Sequence, residues 1–86
     1  MNITDLILIV KKKINKNVSV EAIDIEDKTF LHKNHKQNDE KKFHIKLIIK
    51  SSELKKMQKI QSTRKIYSIL KKELAQYIHS IQILIN

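Results

Sequence analysis

Apolar residues near the start of the chain recur at Ile3, Leu6, Ile7, Val10 and Ile14, the spacing of one face of a helix. This predicts a helix over residues 3–15. Asn2 or Thr4 can cap it, Asp5 suits its positive end, and Lys11, Lys12 and Lys13 suit its negative end. "VSVEAIDI" follows as a strand. Val18, Val20 and Ala22 share one parity and Ile23 and Ile25 the other, which predicts a bulge or two covered faces. "EDKTFLHKNHKQNDEKK" has no period and reads as a long loop, with Phe30 and Leu31 tucked against the body. "FHIKLIIK" is the clearest strand. Phe43, Ile45, Leu47 and Ile49 face a core, and His44, Lys46 and Lys50 face water.

The second half returns to a helical period. "SSELKKM" opens with capping serines and gives a short helical turn. From Met57 to about Gln76 the apolar stripe is Ile60, Ile66, Tyr67, Ile69, Leu70 and Leu74, with a further break possible at Ser62 and Thr63. "IHSIQILI" closes the chain as a strand, with His79 on the same parity as Ile81, Ile83 and Ile85. The first two strands predict an antiparallel hairpin, and the helical segment before the last predicts a parallel crossover. The expectation is an α+β domain of order αββααβ, with a three-stranded mixed sheet and helices on one face.

At 86 residues the chain predicts a single domain spanning residues 1–86, with a modest core. Hydrophobic residues at 41% and charged residues at 31% place it among globular rather than disordered chains. No cysteine is present, so this chain supplies neither a disulfide nor a thiolate metal ligand. No glycine is present either. That excludes the phosphate-cradling P-loop, the dinucleotide-binding turn and the GXXG clamp on RNA. The N-terminal lysines follow the apolar run, the reverse of a signal peptide, and that run is too short to span a bilayer. Without a targeting signal the expected location is the cytoplasm, with an organelle as the alternative.

Net charge is +9, which attracts polyanions. Lys55, Lys56, Lys59, Arg64, Lys65, Lys71 and Lys72 lie along the helical region and suit phosphate contacts. The plainer reading is the solvated side of an amphipathic helix. Nearly all the positive charge is lysine, and Arg64 is the only arginine. Catalysis has little support. Asp24, Glu26 and Asp27 cluster at a strand end and Asp39 and Glu40 lie in the loop, but no cleft is indicated, and the serines read as caps. The expectation is that the chain is not an enzyme.

Four histidines remain. His32 and His35 form H-x-x-H in the long loop, and one pair falls short of a zinc site. His44 opens the second strand and His79 the third. Each also reads as a partly buried histidine bonded to backbone.

The stretch "HIKLIIKSSELKKMQKIQSTRKIYSILKKELAQYIHSIQI", from His44 to Ile83, resembles BolA-like proteins. His44, Ser51, Arg64, "IYSIL", "KEL" and "YIHSI" fall in register with the family pattern, which ends on a histidine in "iHAL". "VEAID" resembles the family's first strand and "HKNHK" its loop motif. The chain departs from the pattern in three places. Leu54 and Lys56 replace an aromatic-x-glycine turn, Ser62-Thr63-Arg64 replaces an R-H-R triad, and Ser80 replaces the alanine after the last histidine.

The resemblance implies a class II KH-like fold. It also implies a non-enzymatic partner of a monothiol glutaredoxin, monomeric alone and heterodimeric with that partner. The pair would share a bridging 2Fe–2S cluster, with the glutaredoxin cysteine and a glutathione thiolate on one iron. His79 would ligate the other iron with a loop histidine, His32 or else His35, and no cofactor is expected in the isolated chain. Histidine on one iron is an established variation in such clusters. The alternative is a nucleic-acid-binding regulator using Lys55, Lys56, Lys59, Arg64 and Lys65 in a helix–turn–helix-like region.

Overall fold

The computed structural model describes residues 1–29 and 42–86. The elements in order are α1 (Ile3–Asn17), β1 (Ala22–Asp27), β2 (Phe43–Lys50), α2 (Ser52–Lys55), α3 (Lys59–Ile69), α4 (Lys71–Gln76) and β3 (Ile78–Ile85). The sheet order is β1-β2-β3, with β1 antiparallel and β3 parallel to the central β2. This is the expected α+β sheet with one hairpin pair and one crossover pair.

Helix α1 forms as its period requires. Asn2 is the cap, its Oδ1 accepting from the Asp5 amide at 2.8 Å. Leu6, Val10 and Ile14 are fully buried. The helix runs two residues beyond the expected end, because "NKN" continues it: the side-chain Nδ2 groups of Asn15 and Asn17 donate to the carbonyls of Lys11 and Lys13.

The first strand starts later than its valines suggest. Val18 is the C-cap of α1 rather than a strand residue, and its buried side chain serves the core from there. Its amide bonds the Ile14 carbonyl at 2.9 Å. β1 is the short segment Ala22–Asp27, with Ile25 buried opposite Leu47.

The core joins Leu6, Val10 and Ile14 of α1 to Ile25, Ile45, Leu47 and Ile49 of the sheet and to Leu54, Ile66, Leu70 and Ile78. The helices therefore cover the face of the sheet carried by the odd residues of β2.

The third helical region differs from the expected stripe. Ile60 and Tyr67 are exposed, and the inward positions are Ser62, Ile66, Leu70 and Glu73. Two polar residues thus occupy core-facing sites, and each has a bond that permits it. The Ser62 hydroxyl donates to the Lys59 carbonyl at 3.0 Å. The Glu73 Oε2 accepts from Lys13 Nζ at 2.6 Å, tying α4 to α1. The break falls at Leu70, between α3 and α4, and not at Ser62 or Thr63. It needs no glycine, because Leu70 turns at φ −99°, ψ 17°, and no described residue has a positive φ.

Surface carboxylates lock the start of α2. Ser51 caps it, accepting from the Leu54 amide at 3.1 Å and donating to the Ser19 carbonyl at 2.7 Å. Glu21 accepts from the Ser52 hydroxyl at 2.7 Å, and this bond holds its pKa below the ordinary 4.5. Glu53 is lowered chiefly by the hydrogen bond from Lys65, and Glu26 by the one from Lys28. The unfolded chain therefore binds more protons than the folded one in this range, so stability rises with pH there. The contribution is complete above about 4.5 and is lost as pH falls through the lowered folded values. Urea midpoints are expected to fall as pH drops from 4.5 to 3. A midpoint that rose on acidification would contradict these ties.

Candidate functional site

β3 does not pair evenly with β2. Phe43 lies opposite Ile78, but His44 lies opposite Ser80, so β3 spends one extra residue at His79. This is a bulge. Its cause is legible in the packing. Ile78 is buried and Ile81 is packed against the core, yet they stand three positions apart, an odd interval that a regular strand cannot place on one face. The extra residue restores both to the core side.

The bulge decides where His79 goes. Parity with Ile81 would turn it inward under the helices, one of the two positions the sequence left open. Instead it is an exposed residue within β3. Its ring lies beside that of His44, with centroids 4.8 Å apart and planes at 56°.

His44 departs from expectation too. The face carrying Lys46 and Lys50 predicts a wet histidine, but His44 is only 5% exposed. Its Nδ1 shares a 2.7 Å hydrogen bond with the Ser80 hydroxyl, directly across the strand pair. Its backbone is held as well: the His44 amide donates to Thr29 Oγ1 at 3.2 Å and its carbonyl accepts from the Lys28 amide at 2.7 Å. Lys28, His44, Lys46, Ser80 and Gln82 line a shallow depression of about 380 Å³ on this side of the sheet. Sequence reasoning missed Ser80. The signal was its place as the direct register partner of His44, visible only once the bulge is counted.

His32 and His35 lie outside the described residues, as do Asp39 and Glu40. Among the described residues, no group of three or more histidine, cysteine or carboxylate side chains converges on one point. The described part of the chain therefore offers an imidazole but no complete metal site.

The basic residues lie elsewhere. Lys55 ends α2 and Lys56 is its C-cap, and Lys59, Arg64 and Lys65 belong to α3. Lys55, Lys56, Lys59 and Arg64 are exposed and have no carboxylate partner among the described residues. Lys65 is different. It is committed to Glu53 at 3.0 Å, so it serves the fold first. Lys55 and Lys59 also rim a groove of about 290 Å³ floored by Leu54, Met57, Ile83 and Ile85, at the end of β3 away from His79. No described helix is long and apolar enough to cross a membrane.

A family model for BolA-like proteins matches residues 14–86. The chain belongs to the BolA-like family. It is 30% identical over 73 residues to a Haemophilus influenzae protein named DNA-binding transcriptional regulator BolA, covering 85% of this chain and 68% of that one. The fold is similar to the BolA domain of SufE1 from Arabidopsis thaliana, with TM-score 0.78 at 22% identity, over 100% of this chain and 93% of the other. It is also similar to BolA1 from Mus musculus, with TM-score 0.71 at 21% identity, over 90% and 60% of the two chains. Within this BolA-like chain, the match takes in His44, the basic residues of α2 and α3, and His79.

Proposed function

We propose that this BolA-like protein is a non-enzymatic partner of a monothiol glutaredoxin and supplies histidine ligands to a bridging 2Fe–2S cluster. The observation that carries the reading is the exposed imidazole of His79, set at the bulge of β3, in a chain without cysteine. The donor set fits a shared cluster and not a resident one. A cluster needs four protein or thiol ligands, and one exposed histidine with a loop histidine makes half of that. The partner's cysteine and glutathione would supply the sulfur half. When bound, the cluster supplies one-electron chemistry at a potential that imidazole ligation raises above the all-cysteine value. This chain's part is to present His79, with His32 or His35 as the second imidazole, and to act in cluster trafficking or iron and redox regulation.

The test is anaerobic reconstitution with a monothiol glutaredoxin, glutathione, iron and sulfide, followed by light scattering and visible circular dichroism. A 1:1 heterodimer with a spectrum unlike that of the glutaredoxin alone is expected. Separate elution with an unchanged glutaredoxin spectrum would contradict the proposal.

A second reading rests on a different observation. Lys55, Lys56, Lys59 and Arg64 are exposed and unpaired among the described residues, and the Haemophilus influenzae relative is named a DNA-binding regulator. Under this reading the segment from α2 to α3 lies against the duplex backbone. Replacing Lys59 or Arg64 by glutamine is expected to lower the slope of log K against log salt by about 1 each. Lys65→Gln is expected to act through its bond to Glu53, lowering stability more than the salt slope. Equal slopes in all variants would remove this reading.

A further inference from the structure

We propose that His44 and Ser80 form a positioning pair that holds the His79 ring in one orientation. The inference rests on the reading of His79 as a ligand and names the residues that make it a good one. An exposed histidine in a strand has three staggered wells at its first side-chain torsion and about two at its second. Only one of these aims the ring nitrogen at a given iron. Here the second ring limits the choice. His44 is buried, its backbone is bonded on both sides, and its Nδ1 is tied to the Ser80 hydroxyl. It therefore offers a wall, and the His79 ring lies against it with centroids 4.8 Å apart and planes tilted by 56°.

The anchor belongs to this sequence. The BolA-like pattern has alanine after the last histidine, and alanine has no hydroxyl to hold the ring of His44. The register of the bulge is what brings Ser80, and not His79, directly opposite His44. Ser80 is itself exposed, so its replacement leaves no cavity in the core.

The expected size follows from the count of wells. A ligand held in one well out of three to six binds about three- to sixfold better than one that samples them all. The test begins with the isolated protein, without any cluster. Three-bond couplings of isotope-labelled His79 report the first torsion. Wild type is expected to show one dominant well, Ser80→Ala averaged couplings, and Ser80→Thr, which keeps the hydroxyl, wild-type couplings. The Ser80→Ala complex with glutaredoxin should then need about three- to sixfold more chain for half-maximal change in the visible dichroism. Unchanged couplings in Ser80→Ala would overturn the proposal. Averaging in both variants would overturn it too, because the hydroxyl would not be the cause. The couplings judge the pair whatever the cluster does. The effect of His79→Ala on the cluster spectrum judges the ligand reading separately.

Discussion

Replacing Lys13 by methionine is expected to cost about 2–3 kcal/mol of folding stability, a large effect for a side chain that is 37% exposed. The reason lies in its partner. The Glu73 side chain is 4% exposed, and its Oε1 has no hydrogen-bond partner among the described residues. All of its compensation comes through Oε2, from the Lys13 ammonium at 2.6 Å. Methionine keeps the apolar stem of lysine but removes the charge, leaving a buried carboxylate alone. Breaking a fully buried pair costs roughly 3–5 kcal/mol, and the partial exposure of Lys13 places this one lower.

Replacing both partners tests the cause. Lys13→Met with Glu73→Leu removes the charge together with its need, so most of the loss is expected to return. Urea unfolding of the two single variants and the double gives the coupling directly. A Lys13→Met midpoint within error of wild type would show that Glu73 finds another partner. The pair matters for the site as well, since Glu73 lies in α4. Its carbonyl accepts from the Tyr77 amide, and the Tyr77 carbonyl accepts from Phe43, the residue at which β2 begins to pair with β3.

The second large effect concerns ligation and not stability. His79→Ala is expected to abolish the spectrum of the glutaredoxin complex while leaving the fold intact. His79 sits at the bulge but is exposed, and no described residue has a positive φ; exposed substitutions at unstrained backbone usually change stability by less than about 0.5 kcal/mol. No described side chain stands ready to replace it. His44 is nearer the interior, and its Nδ1 is engaged by Ser80. Cluster loss with an unchanged urea midpoint would separate ligation from folding. A retained spectrum would show that His79 is not a ligand of the cluster.

Much of this arrangement was legible along the chain. α1 announced itself by its period, β2 by its alternation, and the parallel return of β3 by the helices before it. The departures at the helical seam and at His44 share one physical origin: polarity does not mean exposure. Ser62 and Glu73 face the core because a back-bond and a lysine satisfy them, so the true seam of α3 and α4 was hidden, and Ile60 and Tyr67 were assigned to it instead. His44 was placed in water by parity, but the ring of His79 and the hydroxyl of Ser80 reach it there.

The candidate site was half legible. His79 stood out by its place at the head of an apolar strand and by family resemblance. Its orientation did not, because a single extra residue in the ladder reverses parity. The spacing of Ile78 and Ile81 carried that information, in that both pack on the core across an interval a regular strand does not allow.

The most direct test of the central claim is pulsed EPR of the reduced complex, with nitrogen-15 histidine in this chain only. The account predicts nitrogen-15 coupling to the cluster spin in wild type, and no nitrogen-15-coupled cluster in His79→Ala. A cluster that forms in the mixture but shows no nitrogen-15 coupling would contradict it, because no histidine of this chain would then touch the iron.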